Sequence, residues 1–161
     1  MRRPKGSPAM PDTPSTDLSP REVLEAYHRA IVAADADAVA ELYAVDAVHE
    51  FPFLFPGVTD YHGREEVRAG YRAAWEQSPA RTEKVVEVAV HEGKDHELVI
   101  AERFFEGTIS TTGESFLVPS ILVLRVRDGR IVHARDYMDG LGTAKAMGAL
   151  EYVVSALGAN A

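Results

Sequence analysis

The dipeptide Asp128-Gly129 separates two apolar-rich runs, Phe116 to Arg127 and Ile131 to Asp139. Asp-Gly between such runs is a strong short-range signal for a tight antiparallel turn. The two runs must therefore lie side by side as strands, and only their register stays open. A two-residue loop pairs Arg127 with Arg130. Asp136 then shares a face with Arg125 and Arg127, in solvent. A three-residue loop with Gly129 left-handed forms a bulge and moves the register by one. That register pairs Leu124 with Val132, Leu122 with Ala134, Ser120 with Asp136 and Val118 with Met138. It gives an almost wholly apolar face bearing a single acid, and on patterning it is preferred. A buried carboxylate is costly unless it is paired or hydrogen-bonded. Asp136 and its partner are thus a candidate for acid/base chemistry. The opposite face would hold Ile121, Val123, Ile131, His133, Arg135 and Tyr137. That mixture suits a subunit interface, and a homodimer through the outer sheet face is expected.

Upstream, Ser19-Pro20-Arg21-Glu22 is a capping box with proline at the first helical position. The helix it opens carries Val23, Leu24, Tyr27, Ile31 and Ala34 on one stripe. Asp35 or Asp37 caps a second short helix with Val39, Leu42 and Tyr43. A short strand is expected from Ala47 to Phe53, ending at Pro52 and Pro56, and then a loop from Gly57 to Gly63. Arg64 to Gln77 reads as a third helix, with Val67, Tyr71 and Trp75 four apart. Strands follow over Thr82–His91, Glu97–Glu106, Phe116–Arg127 and Ile131–Asp139. Gly140 to Gly158 closes as one helix. Helices first and hairpin-linked strands afterwards argue for an α+β fold. Residues 1–19, with Pro4, Pro8, Pro11 and Pro14 and no apolar run, read as a disordered tail. Residues 20–161 then form a single domain. Met10 is an alternative start to Met1.

The chain has no cysteine, which removes disulfides, thiolate nucleophiles and cysteine-held metals. Its sole asparagine, Asn160, lies at the tail, so no asparagine positions a water or an oxyanion. The net charge is −8, and it grows more acidic without the tail cations Arg2, Arg3 and Lys5. That balance disfavours nucleic acid. No apolar run is long enough for a membrane span. Disulfide-independent folding fits the cytoplasm.

Several segments together resemble the nuclear transport factor 2-like superfamily. They are Ala34-Asp35-Ala36-Asp37-Ala38-Val39, Leu42-Tyr43 with Asp46-Ala47, Tyr61-His62-Gly63-Arg64-Glu65, Asp128-Gly129-Arg130-Ile131, and Arg135-Asp136-Tyr137-Met138-Asp139. The resemblance is nearest to the SnoaL-like polyketide cyclase and limonene-epoxide hydrolase branch, over about residues 20 to 150. It implies a cone-shaped α+β barrel, cystatin-like in outline. In it a curved antiparallel sheet wraps over the N-terminal helices and encloses a deep apolar pocket. The Asp-Arg-Asp arrangement of limonene-epoxide hydrolases carries over in part. Arg103 and Asp136 are present, while the first acid is Phe105. The water-holding tyrosine and asparagine fall at His49 and Phe51. The helix tyrosine of ketosteroid isomerases corresponds to Tyr27, their general base falls at Phe51 and their second oxyanion acid at Leu122. Scytalone dehydratase uses a histidine with an aspartate and tyrosines, a set loosely like His49, Asp136 and Tyr27.

The resulting expectation is a cofactor-free enzyme without a metal, acting on a small apolar cyclic metabolite. Asp136, Arg103, His49 and Tyr27 are its catalytic candidates. Phe51, Phe53, Trp75, Phe105, Ser120, Leu122 and Met138 are the candidate ligand-binding residues. The reaction would be cyclisation, isomerisation, dehydration or epoxide opening. The alternative is a hydrophobic-ligand-binding or dimerisation module of the same fold, since fold does not fix function. The run His91-Glu92-Gly93-Lys94-Asp95-His96 is not a helical zinc pair, because its histidines are five apart on a glycine turn.

Overall fold

The computed structural model describes residues 17–159. The expected disordered tail, with its start-site alternatives and its cations, therefore lies almost entirely outside the described residues. Ser19, the last residue of that span, is the cap of the first helix. Its hydroxyl accepts from the Glu22 N–H at 3.3 Å, and Glu22 reaches back to the Ser19 N–H at 2.8 Å. The helix, α1, runs Pro20–Ala33 and buries Val23, Leu24, Tyr27 and Ile31. Ala34, placed on that stripe by spacing, is instead the left-handed C-cap and is exposed. Asp35, not Asp37, caps α2 (Ala36–Glu41).

Strand β1 spans Tyr43–Glu50, so it starts and ends earlier than the sequence pattern placed it. The chain turns before Pro52 can deny the ladder a donor. A two-residue strand, β2 (Tyr61–His62), sits inside the expected loop. Helix α3 (Arg64–Gln77) has the expected bounds, with Val67 buried and Tyr71 and Trp75 half-buried against the core. Strands β3 (Ala80–Glu92), β4 (Leu98–Ile109), β5 (Ser115–Arg127) and β6 (Arg130–Met138) complete one sheet. The C-terminal segment is two helices, α4 (Gly140–Ala146) and α5 (Leu150–Gly158), rather than one. Gly148, at φ +70°, ends α4: its N–H reaches Lys145 O, and that of Ala149 reaches Ala144 O. This is a left-handed stop that a side-chain-bearing residue adopts only at a cost.

The six-stranded order is β2-β1-β6-β5-β4-β3, curved but not closed, so the barrel is open at β2 and β3. All neighbours are antiparallel except β1 and β6, which run parallel. The hairpin register corrects both sequence alternatives. The loop is the two-residue one: Asp128 and Gly129 have φ of 50° and 68°, and Arg127 pairs with Arg130. A bulge then follows, with Val126 opposite Ile131 but Arg125 opposite His133. One extra residue on β6 reverses the facing of everything after it. Asp136 consequently points inward, opposite Leu122, and Ser120 faces Met138. Ile131 precedes the bulge and is wholly buried, so it does not belong to the outer face.

The core sits between α1 and the inward residues of β4, β5 and β6, chiefly Val99, Ala101, Leu122, Leu124 and Ala134. Burying one such valine or leucine contributes about 1.5–3 kcal/mol. No helix among the described residues is long and apolar enough to cross a membrane.

Candidate functional site

Alternation along three adjacent strands carries Arg103 (β4), Ser120 (β5) and Asp136 (β6) to the inner face. Arg103 is directly opposite Ser120, and Asp136 lies one diagonal step away. That spacing is within reach of long side chains. Arg103 Nη2 donates to Asp136 Oδ2 at 2.7 Å, and the Ser120 hydroxyl donates to Oδ1 at 2.5 Å. Ser120 Oγ also accepts from Arg103 Nε at 3.4 Å. The guanidinium lies 4.5 Å from the Phe105 ring centroid and 5.5 Å from that of Tyr27. Burial opposes the charge on Arg103. Asp136 and the nearby tyrosines favour it, and the balance holds the guanidinium above its ordinary value. The ion pair is therefore shielded from water and held in a fixed geometry.

The second polar group comes from the helices. The hydroxyls of Tyr27 (α1) and Tyr71 (α3) are hydrogen-bonded to each other. Burial pushes the Tyr27 phenol up to about 12, with Arg103 pulling the other way, and Tyr71 is raised well above the usual range. Both stay protonated at neutral pH, so within the pair one hydroxyl donates and the other accepts, and the proton not used between them is free to be given to a ligand. His49 on β1 is wholly buried and stacks on Phe51 at 4.3 Å. Its Nδ1 is hydrogen-bonded to the Tyr43 hydroxyl at 2.8 Å. Burial drives His49 down to about 4, against the pull of Asp136, so it is neutral near pH 7. Its Nε2 has no partner among the described residues.

A cavity of about 220 Å³ opens beside these groups. An apolar cavity of about 150 Å³ already accepts a benzene ring, so this one has room for a small ring system. Tyr27, Tyr71 and Asp136 are its main polar wall residues, set among Phe51, Trp75, Phe105 and Met138. Phe53 is not part of the wall. It is 67% exposed and packs edge-on against Tyr137, because β1 has ended before it. Arg103, His49, Ser120 and Leu122 are buried behind the wall rather than in it. Arg103 and Ser120 thus act on the cavity through Asp136. Tyr71, Thr143 and Met147, and the loop residues Leu54, Phe55 and Val58, line the cavity without having been singled out from sequence. Tyr71 was within reach: it shares the core stripe of its helix, and a buried phenol needs a partner. The contribution of α4 had no such signal. His91 pairs with Glu102 at the surface, 3.1 Å apart, far from this site in character.

Comparison with known proteins bears on the family and the fold. The SnoaL-like domain model matches residues 24–134. An uncharacterised PhzA/B-like protein of Pseudomonas aeruginosa is 31% identical over 135 residues, covering 83% of this chain and 94% of that protein. A Bacillus subtilis protein provisionally called an isomerase superposes with a TM-score of 0.72 at 28% identity, over 80% of this chain and 92% of that one. A Catenulispora acidiphila protein with a ketosteroid isomerase-like fold gives a TM-score of 0.65 at 21% identity, over 81% and 95%; that likeness is one of fold alone. The sheet, the capped first helix and the extent of the match leave one assignment: the chain belongs to the SnoaL-like family, within the nuclear transport factor 2-like fold.

Proposed function

We propose that the chain is a cofactor-free enzyme that moves a proton on a small, mostly apolar cyclic metabolite held in the cavity. The observation that carries this reading is a buried, paired carboxylate in the wall of an apolar hollow that also bears a tyrosine hydroxyl pair. Asp136 accepts one hydrogen bond at each oxygen from the protein, yet a carboxylate has about four lone-pair sites. Acceptor capacity therefore remains for a substrate proton. Tyr27, braced by Tyr71, would donate a hydrogen bond to the substrate oxygen on which negative charge develops. Arg103 and Ser120 would hold Asp136 in orientation. His49, neutral and set behind Phe51, would support that ring in the wall without touching the substrate. Returning the proton elsewhere on the substrate accomplishes an isomerisation. Coupling its removal to C–C closure, loss of hydroxide as water or opening of an epoxide gives the other three outcomes.

A binding protein without turnover is favoured by one specific observation: both oxygens of Asp136 are already engaged, as in a structural ion pair. The Asp136→Asn variant separates the two readings. Trp75 is the sole tryptophan and stands in the cavity wall, so its fluorescence reports binding. Across a panel of small cyclic enones, hydroxyketones and epoxides, the enzyme reading expects turnover to fall at least about 10²-fold, with affinity changed only a few-fold. Binding of panel compounds by the native chain with no turnover of any of them would leave only the binding reading, and turnover by the variant equal to that of the native chain would remove Asp136 from the chemistry.

A further inference from the structure

The proton left over in the tyrosine pair has one competitor, and it lies behind the wall. Tyr43, at the start of β1, and His49, near its end, are both wholly buried, and neither lines the cavity. Their rings stack, and the Tyr43 hydroxyl is hydrogen-bonded to His49 Nδ1 at 2.8 Å. Burial raises the Tyr43 phenol well above its usual range, and the Tyr27 hydroxyl, hydrogen-bonded to it, adds to the rise. Tyr27 in turn is bonded to Tyr71. His49, Tyr43, Tyr27 and Tyr71 thus form one row, and only the last two reach the cavity.

Three bonds join the row, and each uses one proton. Every hydroxyl owns one proton, and the neutral imidazole owns one, on Nδ1 or on Nε2. With the imidazole proton on Nε2, Tyr43 must donate to Nδ1, Tyr27 to Tyr43 and Tyr71 to Tyr27. All the hydroxyl protons are then consumed, and the cavity is offered lone pairs alone. With the proton on Nδ1, the histidine makes the first bond itself. The hydroxyls then have one proton more than they have bonds to fill. On Tyr43 that proton would be buried with no acceptor, so it stands at the Tyr27–Tyr71 end. Arg103, beside the Tyr27 ring, has donors only and takes none of these protons.

Two features favour the second arrangement. His49 Nε2 is buried without a partner among the described residues. A proton there would make an orphaned N–H, which is rarer in proteins than an under-satisfied acceptor. Asp136 is also the one charged residue in the cavity wall among the described residues. Its negative field draws hydroxyl protons toward the cavity rather than away from it.

We infer that His49 carries its proton on Nδ1 and is a positioning residue for the cavity. Through Tyr43 it directs the hydroxyl row outward, so that the Tyr27–Tyr71 pair keeps one proton for a ligand oxygen. This deepens the proposed function, on which its use in catalysis rests. It narrows the substrate to ring compounds that place a hydrogen-bond-accepting oxygen, carbonyl or epoxide, at the tyrosine pair.

Nitrogen-15 NMR of the full chain with labelled histidine, near pH 7, tests the first half directly. The His49 signals are identified by their loss in His49→Gln. The proton should sit on Nδ1, and a proton on Nε2 overturns the inference. The second half is read from the infrared carbonyl stretch of bound 1-tetralone, labelled with carbon-13 at the carbonyl. In the native chain the stretch should lie below its value in hydrocarbon solvent, and 1-tetralone should bind about two- to tenfold tighter than tetralin. Tyr43→Phe should keep the lowered stretch, because two hydroxyls sharing one bond still leave one proton. The double variant Tyr27→Phe with Tyr71→Phe should lose it. A stretch at the hydrocarbon value in the native chain that falls only in Tyr43→Phe is the pattern of the other tautomer and overturns the inference. Lowering that survives in the double variant overturns it as well, since the ketone would then take its bond elsewhere. The tautomer measurement needs no ligand and decides the inference by itself. Failure of 1-tetralone to bind would instead strike the ring-binding cavity of the proposed function.

Discussion

Two arginine–carboxylate clusters on the same sheet have nearly the same geometry and opposite surroundings. On the inner face, Arg103 and Asp136 meet at 2.7 Å with their side chains 0% and 3% exposed. On the outer face, Arg125 meets Asp95 at 2.7 Å and Glu97 at 3.1 Å, and Arg127 meets Glu97 at 3.0 Å, with 30–58% of each side chain in solvent. Residues of β5 serve both clusters, and alternation alone decides which: Ser120 points in, Arg125 and Arg127 point out. Distance therefore says little about what an ion pair does. Water decides it, because an exposed pair is solvated whether or not it forms, whereas a buried charge depends on its partner.

The largest expected effect follows from breaking the inner pair on one side. Arg103→Met leaves the Asp136 carboxylate buried with only Ser120 to satisfy it. Urea unfolding should show a loss of about 3–5 kcal/mol. The double variant Arg103→Met with Asp136→Leu removes both charges, and most of that loss should be recovered even though turnover is not. A single variant as stable as the native chain would mean that the inner cluster behaves like the outer one, and the contrast drawn above would collapse.

Much of this contrast is legible in the sequence, and the part that is not has a definite physical origin. Ser19 to Glu22 states its helix start outright, because a capping box is local chemistry. The Asp-Gly turn states its hairpin for the same reason. The inward facing of Asp136 followed from demanding an apolar face. The register that delivers it did not, since a bulge on β6 produces the same parity as the three-residue loop and leaves no residue signature of its own. Arg103 shows the limit from the other side. Its strand reads Val-Ile-Ala-Glu-Arg-Phe-Phe, apolar on both faces, so local pattern could not say which way the guanidinium points. Only the resemblance marked it. Phe53 was assigned inward by extending a strand that in fact stops at Glu50.

A mid-sized effect should appear as pH is lowered. His49 is held down to about 4 in the folded chain, first by burial, from an ordinary value of 6.5. The unfolded chain therefore binds this proton first. The contribution is fully present above pH 6.5 and is lost as pH falls toward 4. The separation corresponds to at most about 3 kcal/mol. His28, lowered to about 3 by its own burial, acts in the same direction. The His49→Gln difference isolates the first histidine: its stability should depend less on pH between 6.5 and 4 than that of the native chain. Identical slopes would mean that His49 takes up its proton in the folded state as readily as in the unfolded one. The buried polar end of the cavity would then be wetter than its packing implies.

The smallest effect is expected from the outer cluster, and it is the control that gives the others meaning. Glu97 accepts from Arg125 and from both Arg127 Nε and Nη2, and these arginines hold its carboxyl below the usual range. By count of bonds it is the better connected of the two acids. Yet its partners lie in solvent, where salt at physiological strength screens charge over about 8 Å and water replaces any bond that is lost. Glu97→Gln should therefore leave the thermal midpoint within experimental scatter of the native value, at low salt and at high salt alike. A drop comparable to that of Arg103→Met would show that the outer pairs are shielded from water in solution. Since Arg125 and Arg127 point outward from β5, that shield could only be another surface laid over this face of the sheet.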